Sequence, residues 1–150
     1  MDLRNLSRTD CANLLWPVFA TLCFKILVKN GIKMEIDNNA FAKEWVDSWN
    51  SHDIDRILAH YSDNFEITTP MIKIALGLDT GTLAGKQNVR KYWEEALRKM
   101  PDLCFELKEV TGSVNSIAIY YKSVMDKMAI EVMFFNDQGE VNKVVAHYTN

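Results

Sequence analysis

The sequence predicts an α+β domain, and three observations carry that prediction. In the first half of residues 36–150, apolar residues recur at the helical spacing i, i+3, i+4, i+7. After Pro101 the period changes to two, so that Leu103, Phe105 and Leu107 alternate with Cys104, Glu106 and Lys108. Helical segments therefore precede long strands, an order that favours α+β over alternating βαβ units.

Each element follows from local chemistry. Asp37 and Asn38 supply N-caps for a first helix with an apolar stripe of Phe41, Trp45, Val46 and Trp49. Asn50, Ser51 and His52 break it. Asp53 caps a second, short helix carrying Ile54, Ile57, Leu58 and Tyr61, and Asp63-Asn64 turns the chain. Phe65–Thr69 reads as a strand stopped by Pro70, and residues 71–84 read as irregular. Gly85 leads into a third helix over Lys86–Lys99, ended by Pro101. Gly112-Ser113 then turns the chain into a strand over Val114–Val124, and Met125-Asp126-Lys127 reverses it into Met128–Asn136. Asp137-Gln138-Gly139 forms a hairpin turn to a last strand over Val141–Thr149. Three helices and one early strand thus precede a four-stranded meander.

A chain of 150 residues, 48% apolar, 25% charged and with net charge −3, is long enough for one folded domain. No basic stripe marks a nucleic-acid partner. Cys11, Cys23 and Cys104 give neither a disulfide framework nor zinc spacing. Cys104 is expected as a small core residue, and a cytoplasmic, reducing location fits. No metal or cofactor is called for. Residues 1–35 read as an N-terminal extension outside the fold, with the domain over 36–150. Within the extension, the apolar run at 14–28 is shorter than the ~20 residues of a spanning helix. A membrane anchor, a signal or a packed extra helix are the alternatives for it.

The stretch WVDSWNSHDIDRILAHYSDNFEITTP, then GTLAGKQNVRKYWEEAL, then EVMFFNDQGEVNKVVAHY together resemble the nuclear transport factor 2-like superfamily, and within it the SnoaL-like branch. The resemblance implies a cone-shaped, strongly curved, mainly antiparallel sheet packed against three N-terminal helices, a cystatin-like α+β roll. It also implies a single apolar pocket, a small apolar ligand and a homodimer. Ketosteroid isomerases, which share this fold, pair a carboxylate base with a tyrosine and a protonated carboxylic acid. Carried over position by position, the base falls on Thr69, which has no carboxylate. The oxyanion tyrosine falls on Trp45, a supporting tyrosine on Trp93 and the oxyanion acid on Glu131.

Glu131 is the most informative residue. It lies mid-strand between two otherwise apolar faces, Met128, Ile130, Val132 and Phe134 on one and Ala129, Met133 and Phe135 on its own. It either lines the pocket with a raised pKa or faces outward at an edge or interface. By parity Ala146 and Tyr148 share the interior and His147 points away, unless a bulge reverses them. In that case His147 becomes a candidate base. Glu66 is inside only if Phe65 and Ile67 are not, and would then share a proton with Glu131. Trp45, Trp49, Tyr61, Phe65, Thr69, Trp93, Tyr121, Met133 and Tyr148 are the candidate ligand-binding residues. The resulting expectation is a small-molecule binder with proton-transfer chemistry of isomerase or cyclase type. The alternative is a non-catalytic binding or dimerisation module.

Overall fold

The computed structural model describes residues 36–149. The apolar run at 14–28, Cys11, Cys23 and the extension as a whole lie outside the described residues.

The architecture is α+β, with helices packed on a six-stranded, mixed but mostly antiparallel sheet. Helix α1 (Asn38–Asn50) begins where Asp37 accepts from the Asn39 and Ala40 amides at 3.0 Å. Asp53 caps α2 (Ile54–Leu58) in the same way. Each cap satisfies amide donors that the first helical turn cannot. Strand β1 (Tyr61–Thr68) follows directly, so Tyr61 starts a strand and does not close a helix, and Asp63-Asn64 falls inside β1.

The chain after β1 is more ordered than its sequence suggests. Pro70 opens helix α3 (Pro70–Leu76), which is followed by a short strand, β2 (Thr82–Ala84). Proline is well suited to the first helical position because no intrahelical bond is lost there. Thr69 Oγ1 accepts from the Met71 amide, and Gly77, at φ 66°, ends the helix in the left-handed region. Gly81 returns the chain against β1: its carbonyl accepts from the Thr69 amide at 2.9 Å. A Cβ on Gly81 would stand 3.0 Å from the Thr69 carbonyl oxygen, at a φ of +63°.

Helix α4 (Lys86–Lys99) leads to the meander β3 (Glu106–Gly112), β4 (Ser116–Lys122), β5 (Met128–Phe135) and β6 (Val141–Tyr148). A 3-10 turn over Val124–Asp126 joins β4 to β5. The spatial order is β2-β1-β6-β5-β4-β3. All neighbours are antiparallel except β1 and β6, which run parallel, a pairing that the long connection between them permits. Among the described residues four helices, not three, precede or interleave with the strands. The sheet is not strongly curled, in contrast to the expected cone. Its cavity owes much to the elements lying over one face, since α1, α3, α4 and the 3-10 turn all contribute walls.

The buried face of the meander is set by period-two alternation. Ile117, Ile119 and Tyr121 of β4, Ala129, Glu131 and Met133 of β5, and Val144 and Ala146 of β6 are all buried. Register aligns Ile119 with Glu131 and Glu131 with Ala146. Cys104 is exposed and not a core residue, because Leu103 and Phe105 on either side of it take the buried positions. Among the described residues no helix is long and apolar enough to cross a membrane.

Candidate functional site

Helix α1 places Trp45 and Trp49 four residues apart, hence on one face. Both are buried, and Phe105 packs against both, its ring centroid 5.8 Å from Trp45 and 5.5 Å from Trp49. Helix α4 contributes Trp93, whose ring lies edge-on to Trp49 at 5.0 Å. Strand β4 brings Tyr121 within 5.3 Å of Trp45. These rings, with Thr69 and Tyr148, contribute walls of a cavity of about 700 Å³. That is within the range of small-molecule sites.

Glu131 is the carboxyl group inside it. The side chain is 4% exposed, and Tyr121 donates its phenolic proton to Oε2 at 3.1 Å. Burial disfavours the charged form and raises the pKa from 4.5 to about 7; the Tyr121 hydrogen bond opposes that rise. Protonated and ionised Glu131 are therefore both populated at neutral pH, which is what general acid–base work requires. Burial and the nearby Glu131 charge push the Tyr121 hydroxyl well above its ordinary value, and the same two causes raise Tyr92 and Tyr148. All three therefore stay protonated donors.

The tryptophan N–H groups do not reach Glu131. Trp45 Nε1 donates to Tyr61 Oη at 2.8 Å. Trp49 Nε1 approaches the same hydroxyl without completing a hydrogen bond, and is buried with no partner among the described residues. Such an orphaned donor costs about 1–3 kcal/mol.

Three candidates stand in the core behind the wall. Tyr61, 1% exposed, spends its hydroxyl on Trp45. Phe65, fully buried, packs between Tyr61 at 4.5 Å and Trp93 at 5.8 Å. Met133, also fully buried, fills the inner sheet face between Ile117 and Val144.

Two other candidates are on the opposite face. Phe65 and Ile67 are buried, so Glu66 between them projects outward and pairs with Lys143 at 3.1 Å. It cannot share a proton with Glu131. His147 is exposed, because the β5–β6 register is regular from Ala129 to Phe134 and no bulge inverts it. The irregularity lies farther along, between Phe134 and Phe135. His52 and His60 bind carbonyls, at Leu103 (2.8 Å) and Ile57 (3.0 Å). Among the described residues no three His, Cys, Asp or Glu side chains gather as metal ligands.

The structure adds residues that the sequence did not single out. Met71, Ile74 and Leu76 come from α3, and Asn88, Lys91 and Lys99 from α4. Thr69-Pro70 before an apolar run, with glycine at 77, is a helix-start and helix-stop pattern that would have revealed α3.

The model of the SnoaL-like domain family matches residues 42–149. A SnoaL-like protein of unknown function from Burkholderia thailandensis is 45% identical, over 75% of this chain and 93% of that one, with a TM-score of 0.73. An NTF2-like protein of unknown function from Cytophaga hutchinsonii is 16% identical, over 79% and 95% of the chains, with a TM-score of 0.59. The epoxide hydrolase/cyclase-like enzyme SalBIII, described in pyran ring formation in the polyether salinomycin, is 16% identical over 74% and 89%, with a TM-score of 0.58. At those last two identities the likeness is one of fold. No curated protein matches.

Proposed function

The chain belongs to the SnoaL-like domain family, and on that footing we propose that it binds a small apolar, ketone-like molecule in this cavity and exchanges a proton with it through Glu131. The observation that carries the reading is one buried carboxyl group, hydrogen-bonded to a tyrosine, in a wall otherwise rich in aromatic rings. With threonine at position 69, no second carboxylate serves as a base there. Thr69 instead caps α3. Glu131 must then act as both acceptor and donor of the proton. Tyr121 is the hydrogen-bond donor that steadies its carboxylate or the developing enolate oxygen, since the Trp45 N–H is committed to Tyr61.

Deuterium uptake at the α-carbons of 2-tetralone, followed by mass spectrometry, tests the reading. The protein is expected to accelerate exchange, and Glu131→Gln to lower the rate by roughly 10²-fold or more. An unchanged rate in Glu131→Gln excludes the mechanism.

Thr69 also favours a second reading, a binding module without catalysis. It predicts that a ligand carried through purification is released chemically unaltered in native mass spectrometry.

A homodimer through the outer sheet face accompanies either reading. On that face Tyr120, Ile130 and His147 form one cross-strand row and Ala118, Val132 and Val145 the next, with Tyr120 38% and Ile130 41% exposed. Apolar side chains at the centre of an exposed sheet face gain by being covered.

A further inference from the structure

The lining of the cavity divides by exposure. The interior is buried: Trp45, Trp49, Thr69, Trp93, Tyr121 and the lone carboxyl of Glu131. The mouth is formed by the exposed or half-exposed members of the lining, and there the charge is mostly positive. Lys91 and Lys99 are eight residues apart on α4, just over two turns, and so share one face. Lys127, directly after the 3-10 turn, lines the same cavity. Among the described residues the one carboxylate at the mouth is Glu95; it pairs with Arg98 and, at 3.2 Å, with Lys99, so Lys99 shares its charge with Glu95 and the mouth keeps a net positive charge. Lys127 Nζ donates to the Thr149 carbonyl at 3.1 Å, and Lys91 makes no ion pair among the described residues. A chain of net charge −3 therefore carries a cationic rim on its apolar cavity.

We propose that the ligand is amphipathic: an apolar body fills the interior, and an anionic group stays at the mouth between Lys91, Lys99 and Lys127. The proposal rests on the ligand-binding reading above and narrows its chemical class. An anion held at the rim keeps part of its hydration, so it escapes the desolvation penalty of a buried ion pair. It also fixes orientation. With the charged end held outside, the buried end, which carries the ketone-like group, is the one presented to Glu131.

A matched pair of fluorescent probes tests this. N-phenyl-1-naphthylamine is neutral, and 8-anilinonaphthalene-1-sulfonate is the same skeleton with an anionic group. The sulfonate is expected to bind about fivefold or more tightly than the neutral dye at low salt, with the gap closing as salt screens the rim. Lys91→Glu and Lys99→Glu should each lower sulfonate affinity several-fold and leave the neutral dye unchanged, which also reports an intact fold. Displacement by decanoate or decyl phosphate, against decanol, then identifies which anion is preferred. Equal binding of the two dyes, a gap indifferent to both substitutions, or decanol displacing as well as the two anions overturns the proposal and leaves the apolar-pocket reading standing. Failure of both dyes to bind overturns the two together.

Discussion

Glu131→Gln isolates the energetic consequence of burying a carboxyl group. The folded pKa is about 7 against 4.5 for an unperturbed group. Between those values the folded state holds a proton that the unfolded chain has released, so folding stability falls as pH rises. The wild type thus has its full stability from this group below about pH 4.5 and loses it progressively up to and through about pH 7. The shift corresponds to about 3 kcal/mol in total, of which 2 to 3 kcal/mol falls between about pH 5 and about pH 8.5. Because the side chain is 4% exposed, solvent screening reduces this little. Glutamine has nearly the same shape and never ionises, so the variant lacks this slope. Urea unfolding of both proteins across that range, analysed as the difference between them, is the assay. Glu131→Gln should be close to wild type at the acidic end and more stable by about 2 to 3 kcal/mol at the alkaline end. A difference that stays constant with pH refutes the argument, because Glu131 would then carry no raised pKa and the acid–base role built on it would fail.

Other outcomes follow from the same geometry. Tyr121→Phe removes the donor that favours the ionised carboxylate, so the folded pKa rises and the fall in stability, which still begins near pH 4.5, should extend to higher pH, at a cost of about 1–2 kcal/mol at alkaline pH. The same urea series in that variant checks it. Trp45→Phe leaves the Tyr61 hydroxyl without its buried partner and opens space beside Tyr121, for a loss of about 2–4 kcal/mol in the free energy of urea unfolding. Glu66→Gln, on the outer face, should change stability by less than about 0.5 kcal/mol, and both Glu66→Gln and His147→Asn should leave 2-tetralone exchange untouched. Light scattering should give a dimer that Ile130→Glu converts to monomer; a wild-type monomer at working concentrations removes the dimer proposal.

Much of the fold was legible because its signals are local. Asp37 and Asp53 act as the caps that their positions suggest, and α4 runs from Lys86 to Lys99 as its apolar spacing implies. The change of period after Pro101 marks the meander, and Gly139, at φ 79°, makes the hairpin turn. Other features are ambiguous in the sequence because a local signal has two meanings. Pro70 can end a strand or open a helix, and here the threonine before it and the carbonyl of Gly81 favour the helix. Alternation around Cys104 fixes only that its neighbours share a side, not which side is buried.

By itself, the sequence determined the α+β class, the order of helices before strands, and the presence of one carboxyl group on a strand with no polar neighbours. Only the tertiary structure decided where that carboxyl group points. Strand parity is symmetric: it says that Glu131 goes with Met133 and Ala146, and that Glu66 goes against Phe65 and Ile67. The choice between the two faces is made by what packs on them, here α1 and α4, whose tryptophans cover the inner face. That packing buries Glu131 beside Tyr121 and leaves Glu66 on the outer face with Lys143. It also turns one face of α4 into the rim of a cavity, a placement that depends on contacts distant in sequence and invisible to local spacing.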